Sequence, residues 1–132
     1  MSLTYVALMH RAAKKGADYG VIFPDFPGAV FGGASLDQAL ENARDGILFH
    51  IEGLLNAGEV LPDPMSLEDI ENRPEYQEGV PALIRVILPS GHSKRLNISM
   101  DAGLLAEIDH AAQMLGKNRS QFLVDAARQV LA

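Results

Sequence analysis

Cysteine is absent from the 132 residues of this chain. The absence excludes a disulfide framework, a thiolate nucleophile and a Cys-based zinc site. The chain also lacks any apolar run of about 18 residues, the length that a membrane helix needs. Its first residues, Met-Ser-Leu-Thr-Tyr, have neither the basic region nor the long apolar core of a signal peptide. The sequence therefore predicts a cytoplasmic protein without a membrane span.

Basic residues are outnumbered, with eleven Lys and Arg against seventeen Asp and Glu, which gives a net charge of −6. The acidity is uneven: residues 1–90 carry six basic and thirteen acidic residues (6 − 13 = −7), and residues 91–132 carry five and four (5 − 4 = +1). The acidic first part suits a basic partner. The second part can still bind DNA if its basic residues line one face and a dimer doubles them.

Residues able to support catalysis or metal binding show no recognisable spacing. Early carboxylates invite a two-metal nuclease hypothesis. The position of each carboxylate explains its presence without a metal ion. One lies at a turn, one lies between two prolines, and two lie in the first turns of a helix, where negative charge offsets the helix dipole. The histidines are dispersed. We therefore expect no catalytic residue, no metal site, no cofactor and no enzyme activity. The carboxylates are Asp18, Asp25, Asp37 and Glu41, and the histidines are His10, His50, His92 and His110.

The first part of the chain predicts four strands and one long helix, in the order β-β-β-α-β. Strand formers alternate with turn signals, and Pro24-Asp25-Phe26-Pro27-Gly28 interrupts the run because proline donates no amide to a ladder. We expect the helix to lie on one face of a mixed sheet, in an α+β fold. The predicted strands are residues 3–10, 19–23, 29–33 and 83–88, with a turn at residues 11–18.

The long helix is predicted from the capping-box spacing of Ser35 and Gln38. Apolar residues then recur on one helical face for about 22 residues, or roughly 33 Å at 1.5 Å per residue. Gly58 marks its end. We expect residues 59–81 to be mostly irregular, with a single helical turn at residues 66–71.

The last part of the chain begins with a predicted strand at residues 94–100, Lys-Arg-Leu-Asn-Ile-Ser-Met. Its side chains alternate between an apolar and a polar face. A lone strand leaves its backbone unpaired, and a second copy of the chain could pair with it in an antiparallel ribbon. Leu96, Ile98 and Met100 form the apolar face, which we expect to join the core against the helices that follow. Arg95, Asn97 and Ser99 form the polar face that could contact base edges in a major groove.

Two short helices follow the strand. Asp101 can cap the first helix and Gly116 can end it. Asn118 and Gln121 have a second capping-box spacing at the start of the next. The start of that second helix could also bind phosphate. The candidate phosphate contacts are Lys94, Lys117, Asn118, Arg119 and Ser120, and the candidate helical core residues are Leu105, Ile108, Phe122 and Leu123.

This strand and its helices resemble a ribbon-helix-helix DNA-binding module. The alternative is an ordinary dimerisation element whose polar strand face is merely solvated. In either case a segment this short needs a partner, because domains below about 40 residues rarely bury enough surface alone. We expect a homodimer, and the strand edges of the first domain leave a dimer of dimers open.

The first domain resembles the amino-terminal domain of the HicB-like antitoxins. The resemblance is carried by Tyr-Gly-Val-Ile-Phe-Pro-Asp-Phe-Pro-Gly at residues 19–28, followed by the Gly-Gly-Ala-Ser-Leu-Asp-Gln-Ala-Leu-Glu-Asn-Ala helix start that ends at Ala43. Two positions depart from the family pattern: Ala29 stands where a cysteine is common, and Ala34 where an acidic residue is common. These departures bear on which toxin this copy recognises.

The resemblance implies a truncated ribonuclease-H-like fold that serves as a binding surface. It implies a HicB-like toxin-binding domain at residues 1–88, a hinge at residues 89–93, and a ribbon-helix-helix domain at residues 94–132. The expected partners are a small basic HicA-type RNA-cleaving toxin and operator DNA. The alternative is a solitary ribbon-helix-helix regulator whose first domain binds a small ligand or another protein. A neighbouring gene for a short basic toxin would favour the antitoxin.

Overall fold

The chain folds as two compact units, Met1–Leu88 (unit 1) and Pro89–Ala132 (unit 2). The boundary between the units falls after Leu88; the hinge at residues 89–93 stays a prediction. The structure, a computed structural model, describes residues 1–11 and 18–131. Most of the turn expected at residues 11–18 lies outside the described residues.

Unit 1 contains one sheet of four strands, in the order β3-β2-β1-β4. Every neighbouring pair in it is antiparallel. The expectation of a mixed sheet was therefore wrong, because the residue pattern of a strand does not specify its direction relative to a neighbour. The strands are β1 (Ser2–Arg11), β2 (Tyr19–Ile22), β3 (Val30–Gly33) and β4 (Val80–Ile87).

The long helix α1 (Leu36–Asn56) begins at the predicted cap. The Gln38 amide donates to Ser35 Oγ at 3.1 Å, and the Gln38 side chain accepts from the Ala34 amide at 2.9 Å. These bonds satisfy amides that have no acceptor within the helix. At the other end Gly58 has a φ of 75°, the left-handed conformation that glycine adopts most readily at a helix end.

The core of unit 1 lies between α1 and one face of the sheet. Alternate β1 residues, Tyr5 and Ala7 among them, point toward the helix. Gly46 lets α1 approach β3, because a Cβ at this position would lie 2.1 Å from Phe31 Cε1. The buried residues of this core are Tyr5, Ala7, Val21, Phe23, Phe26, Ala29, Ala39, Ala43, Ile47, Ile51, Ile84 and Val86.

The opposite face of the sheet is partly covered by the segment that connects α1 to β4. Helix α2 (Leu67–Glu71) forms where a helical turn was predicted, and Ile70 packs against Val6 and Leu8. A 3₁₀ turn at Pro74–Tyr76 follows, which the sequence analysis did not predict.

Unit 2 is a helical hairpin preceded by an irregular segment. Helix α3 (Ala102–Met114) begins at Asp101, whose carboxylate accepts from the Leu104 amide at 3.0 Å. Gly116, with a φ of 67°, ends the helix as predicted. Helix α4 (Arg119–Leu131) follows.

Candidate DNA-binding and protein-binding surfaces

Residues 94–100 do not form a strand in the single chain. The predicted strand has no ladder partner within the described residues, and an unpaired segment cannot satisfy strand hydrogen bonding. Leu96 and Ile98 were expected in a hydrophobic core, but they are 79% and 64% exposed. The described residues of one copy leave both side chains largely uncovered, so these two core assignments depend on a second chain. The three candidate base contacts, Arg95, Asn97 and Ser99, are also exposed.

Unit 2 has a small core for its size. Within its described part only Ile108 and Ala112 are buried, and α4 has no buried residue. The other candidate core residues, Met100, Leu105, Phe122 and Leu123, are half-buried. Exposed apolar surface on this scale is typical of an interaction site. The exposed large apolar residues of this unit are Leu96, Ile98, Leu104, Met114, Leu115, Val124, Val130 and Leu131.

The start of α4 has the predicted reciprocal cap. The Asn118 amide donates to Gln121 Oε1 at 3.0 Å, and the Gln121 amide donates to Asn118 Oδ1 at 2.8 Å. The amides of Arg119 and Ser120, in the first turn, have no acceptor within the helix because of their position. Helix geometry therefore leaves them available for an anion.

The two cations at this helix start are paired with carboxylates. Arg119 makes two hydrogen bonds to Asp109, at 2.9 and 2.8 Å, and Lys117 forms an ion pair with Asp125. The hydrogen bonds from Arg119 hold the pKa of Asp109 below its ordinary value. The structure thus brings Lys117, Arg119 and Ser120 together. A phosphate would have to compete with two carboxylates for the cations.

The Pro-Asp-Phe-Pro-Gly segment of unit 1 forms two consecutive turns. The Phe26 amide donates to the Phe23 carbonyl at 2.9 Å, and the Ala29 amide donates to the Phe26 carbonyl at 3.0 Å. The second turn has Pro27 and Gly28 at its centre, and Gly28 has the positive φ of 90° that suits its second position. The turns direct the Phe26 ring into the core, where its centroid lies 4.8 Å from that of Tyr5.

Asp25 is buried within this segment, with 8% of its surface exposed. Its Oδ1 accepts from the Met65 amide at 3.0 Å and so holds the connecting segment against the turn. Its Oδ2 has no hydrogen-bond partner among the described residues. Burial raises the pKa of the Asp25 carboxyl, while the Met65 amide and the charge of Arg73 oppose that shift. The carboxylate has a structural role here.

The raised pKa of Asp25 predicts that this side chain stabilises the fold better in acid. The folded state binds the Asp25 proton more tightly than the unfolded state does. The contribution of the protonated side chain to the free energy of unfolding is therefore fully present below the unfolded pKa, and it is lost as pH rises through the higher folded pKa. Asp25→Asn keeps an oxygen for the Met65 amide and removes the charge. We expect the free energy of unfolding of the variant, minus that of wild type, to be larger at pH 7 than at pH 3, because the buried charge that the variant lacks forms in the wild type only at the higher pH. Urea unfolding of both proteins at the two pH values checks this, and a pH-independent difference would contradict it.

The four carboxylates of the nuclease hypothesis do not converge on a metal site. Within residues 1–11 and 18–131 no group of three or more His, Asp or Glu side chains could hold a metal ion. Asp25 is committed to the Met65 amide, and Asp37 lies in the first turn of α1. Within the same residues no helix is long and apolar enough to cross a membrane.

A groove of about 470 Å³ lies between α1 and the β3 side of unit 1. No residue pattern had indicated this groove, and His50, which lies in it, had been noted only as one of four dispersed histidines. A Phe among polar neighbours and two glycines seven positions apart on one helix were signals that could have indicated it. The groove is lined by residues 28–31 and by Gly46, Phe49, His50, Gly53 and Leu54.

Comparisons with known proteins agree on one family. The family model described as "HicB_like antitoxin of bacterial toxin-antitoxin system" matches residues 5–127. A protein of Haemophilus phage HP1, described as an uncharacterized 14.9 kDa protein in the rep-hol intergenic region, is 39% identical over 118 residues, which cover 86% of this chain and 89% of that protein. The crystal structure of the Burkholderia pseudomallei antitoxin HicB superposes with a TM-score of 0.61 at 32% identity, covering 98% of this chain and 99% of that chain.

A solved HicA3 and HicB3 toxin-antitoxin complex also matches. The TM-score is 0.50 at 25% identity, and the match covers 66% of this chain and 99% of the chain in the complex.

Proposed function

The chain belongs to the HicB-like antitoxins of bacterial toxin-antitoxin systems, and we propose that it neutralises a small HicA-type RNA-cleaving toxin and represses its own operon. Unit 1 would bind the toxin, and residues 94–132 would form a dimeric ribbon-helix-helix that binds operator DNA. Inhibition in this scheme is occlusion of the toxin, with no chemistry on this chain. The observation that carries the proposal is the division into two units of unlike surface, one acidic and one with uncovered apolar side chains.

The toxin-binding role is supported by charge. Residues 1–88 hold six basic and thirteen acidic residues, a net charge of −7 (6 − 13). A domain of this charge attracts a cationic RNA-binding protein and speeds its association at low salt. A matching chain comes from a solved toxin-antitoxin complex of HicA3 and HicB3, which makes a HicA-type protein the first partner to test.

The DNA-binding role is supported by the exposed segment before α3. Pairing residues 94–100 with the same segment of a second chain would satisfy their backbone and would cover Leu96 and Ile98. It would also place Arg95, Asn97 and Ser99 together on the opposite face, in a ribbon narrow enough for the major groove. Pairing with a second chain would thus satisfy the backbone hydrogen bonds of this segment and cover its exposed apolar side chains.

The helix start at Asn118 would set the position of the ribbon on DNA. The amides of Arg119 and Ser120 can donate to a phosphate oxygen, and Lys117 and Arg119 can exchange their carboxylate partners for it. Lys94, at the start of the ribbon, would add a further phosphate contact. Because the cations are already paired, we propose modest affinity for DNA with a clear salt dependence.

We expect a short basic protein to be encoded beside this chain, and the proposal is tested with that protein. We expect that protein to cleave RNA alone and to lose the activity when the purified full chain is added in equal amount. An absent neighbour of this kind, or RNA cleavage that persists at an excess of the chain, would contradict the antitoxin role. The chain alone should leave RNA and DNA intact in the presence of Mg²⁺ or Mn²⁺.

Replacing Arg95 or Asn97 with alanine should weaken specific operator binding by about 1–3 kcal/mol for each lost base contact. Folding and toxin neutralisation should change little, because both side chains are exposed in the single chain. Fluorescence anisotropy with labelled operator and with scrambled DNA measures the effect, and Arg44→Ala, an exposed arginine of α1, is the control. Unchanged operator affinity in both variants would contradict the assignment.

A further inference from the structure

We propose that the groove between β3 and α1 is where the toxin docks, and that it receives a cationic segment carrying an apolar side chain. This inference rests on the toxin binding proposed above and adds its location. The groove has an apolar floor and a rim formed by Val30 and Phe49. These two side chains are 65% and 78% exposed in the chain alone.

Phe49 is the first reason to place the partner here. Its neighbours one turn away on α1 are acidic residues and glycines, and the side chain packs too little to serve the core of unit 1. An aromatic side chain at the edge of a groove is a typical anchor of a protein interface, because it brings a large contact area and loses little rotamer freedom. The same ring left in water contributes little to folding.

Gly53 is the second reason. Gly53 lies in the last turn of α1, and glycine within a helix disfavours helix formation relative to alanine, so close packing against the helix is one reason for its presence. Gly46 has such a reason, because the Phe31 ring lies against it. A Cβ at Gly53 would meet no atom within 4 Å. The described part of the chain therefore gives no reason for this glycine, whereas close approach of a docked segment to α1 would.

The outer edge of β3 offers a third means of contact. As the last strand in the sheet order, it has no strand on one side among the described residues. Asn42 donates to the Gly32 carbonyl at 2.8 Å, which leaves the Val30 end, beside the groove, as the part an extended segment can approach. Extended peptides commonly bind by adding to such an edge.

Charge selects the toxin over a second copy of this chain as the occupant. Helix α1 carries four acidic residues and one basic residue, a net charge of −3 (1 − 4). Asp45 and Glu52 directly precede the two groove glycines. Two copies of this surface would repel each other, and a basic partner would be attracted. The four acidic residues are Asp37, Glu41, Asp45 and Glu52.

The test uses the full chain and the basic neighbouring protein, with binding measured by calorimetry. We expect Phe49→Ala and Gly53→Leu each to raise Kd about tenfold or more. Val60→Ala, which removes another exposed apolar side chain of unit 1 outside the groove, should bind as wild type does. Gly53→Leu should also unfold at the same or a higher temperature, because leucine is the better helix former and open space surrounds the position. Weaker binding by a more stable protein excludes damage to the fold as the cause.

The possible failures are distinguishable. If the wild-type chain does not bind the neighbour, the proposed function fails. If it binds and both groove variants bind equally well, the toxin docks elsewhere and only this inference is overturned. If the groove variants instead lower the light-scattering mass of the toxin-free chain, the groove joins two copies and the proposed occupant is wrong.

Discussion

Replacing Ile98 with aspartate is expected to abolish specific operator binding and to leave the chain monomeric. Ile98 is 64% exposed in the single chain, and pairing of two ribbons would bury it together with Leu96 and Met100. A carboxylate there would be buried without a partner in the dimer, at a cost of several kcal/mol. Because only the dimer presents the complete ribbon, DNA binding should weaken by at least about 100-fold, the equivalent of two steps of 1.4 kcal/mol.

The control for Ile98→Asp is Val60→Asp, which adds the same charge at a residue that is 94% exposed in unit 1. Light scattering gives the mass of each protein, and anisotropy with labelled operator gives its affinity. The control should keep both the mass and the affinity of wild type. An Ile98→Asp protein that remained dimeric and bound the operator as tightly as wild type would contradict the ribbon.

A shortened chain that ends at Pro89 should bind the toxin with the affinity of the full chain and should lose operator binding completely. Unit 1 has its own sheet, its own helix and its own buried core, so we expect the shortened chain to fold. The proposed DNA contacts all lie beyond Pro89. The shortened chain is therefore expected to lose all affinity for operator DNA and to keep its full affinity for the toxin.

Circular dichroism first establishes that the shortened chain is folded. Calorimetry with the basic neighbouring protein and anisotropy with operator DNA then measure the two interactions separately. A folded shortened chain that failed to bind the toxin, or one that still bound the operator, would show that the two functions are not divided between the units.

Local signals in the sequence predicted the helices of both units. Two capping boxes form, that of Asn118 and Gln121 reciprocally, and the left-handed Gly58 and Gly116 lie where helix ends were expected. These features depend on residues within one or two turns of each other, so short-range spacing determines them. The strands of unit 1 were also found near their predicted bounds, although β4 begins at Val80, three residues early.

Long-range features were harder to predict. The antiparallel direction of β4 depends on how residues 59–79 return across the sheet, which no local pattern encodes. The groove depends on α1 lying beside β3, an approach that Gly46 permits and Phe31 limits. The carboxylate partners of Lys117 and Arg119 come from different positions on the hairpin, eight and ten residues away in sequence respectively.

The proposed ribbon is a different case, because a strand at residues 94–100 would depend on pairing with a second chain. Alternation in residues 94–100 predicts two faces, and the single chain leaves both exposed. A strand pattern needs a ladder to become a strand, and this ladder would be intermolecular. The prediction of a DNA-binding ribbon is thus inseparable from the prediction of a dimer.

The mass of the full chain co-purified with its basic neighbour tests the central claim most directly. Multi-angle light scattering on the purified complex counts both proteins in one particle. Our account predicts a particle with at least two copies of this chain, with toxin bound, and that particle should bind operator DNA. A single copy of the chain, without toxin and without affinity for the operator, would contradict it.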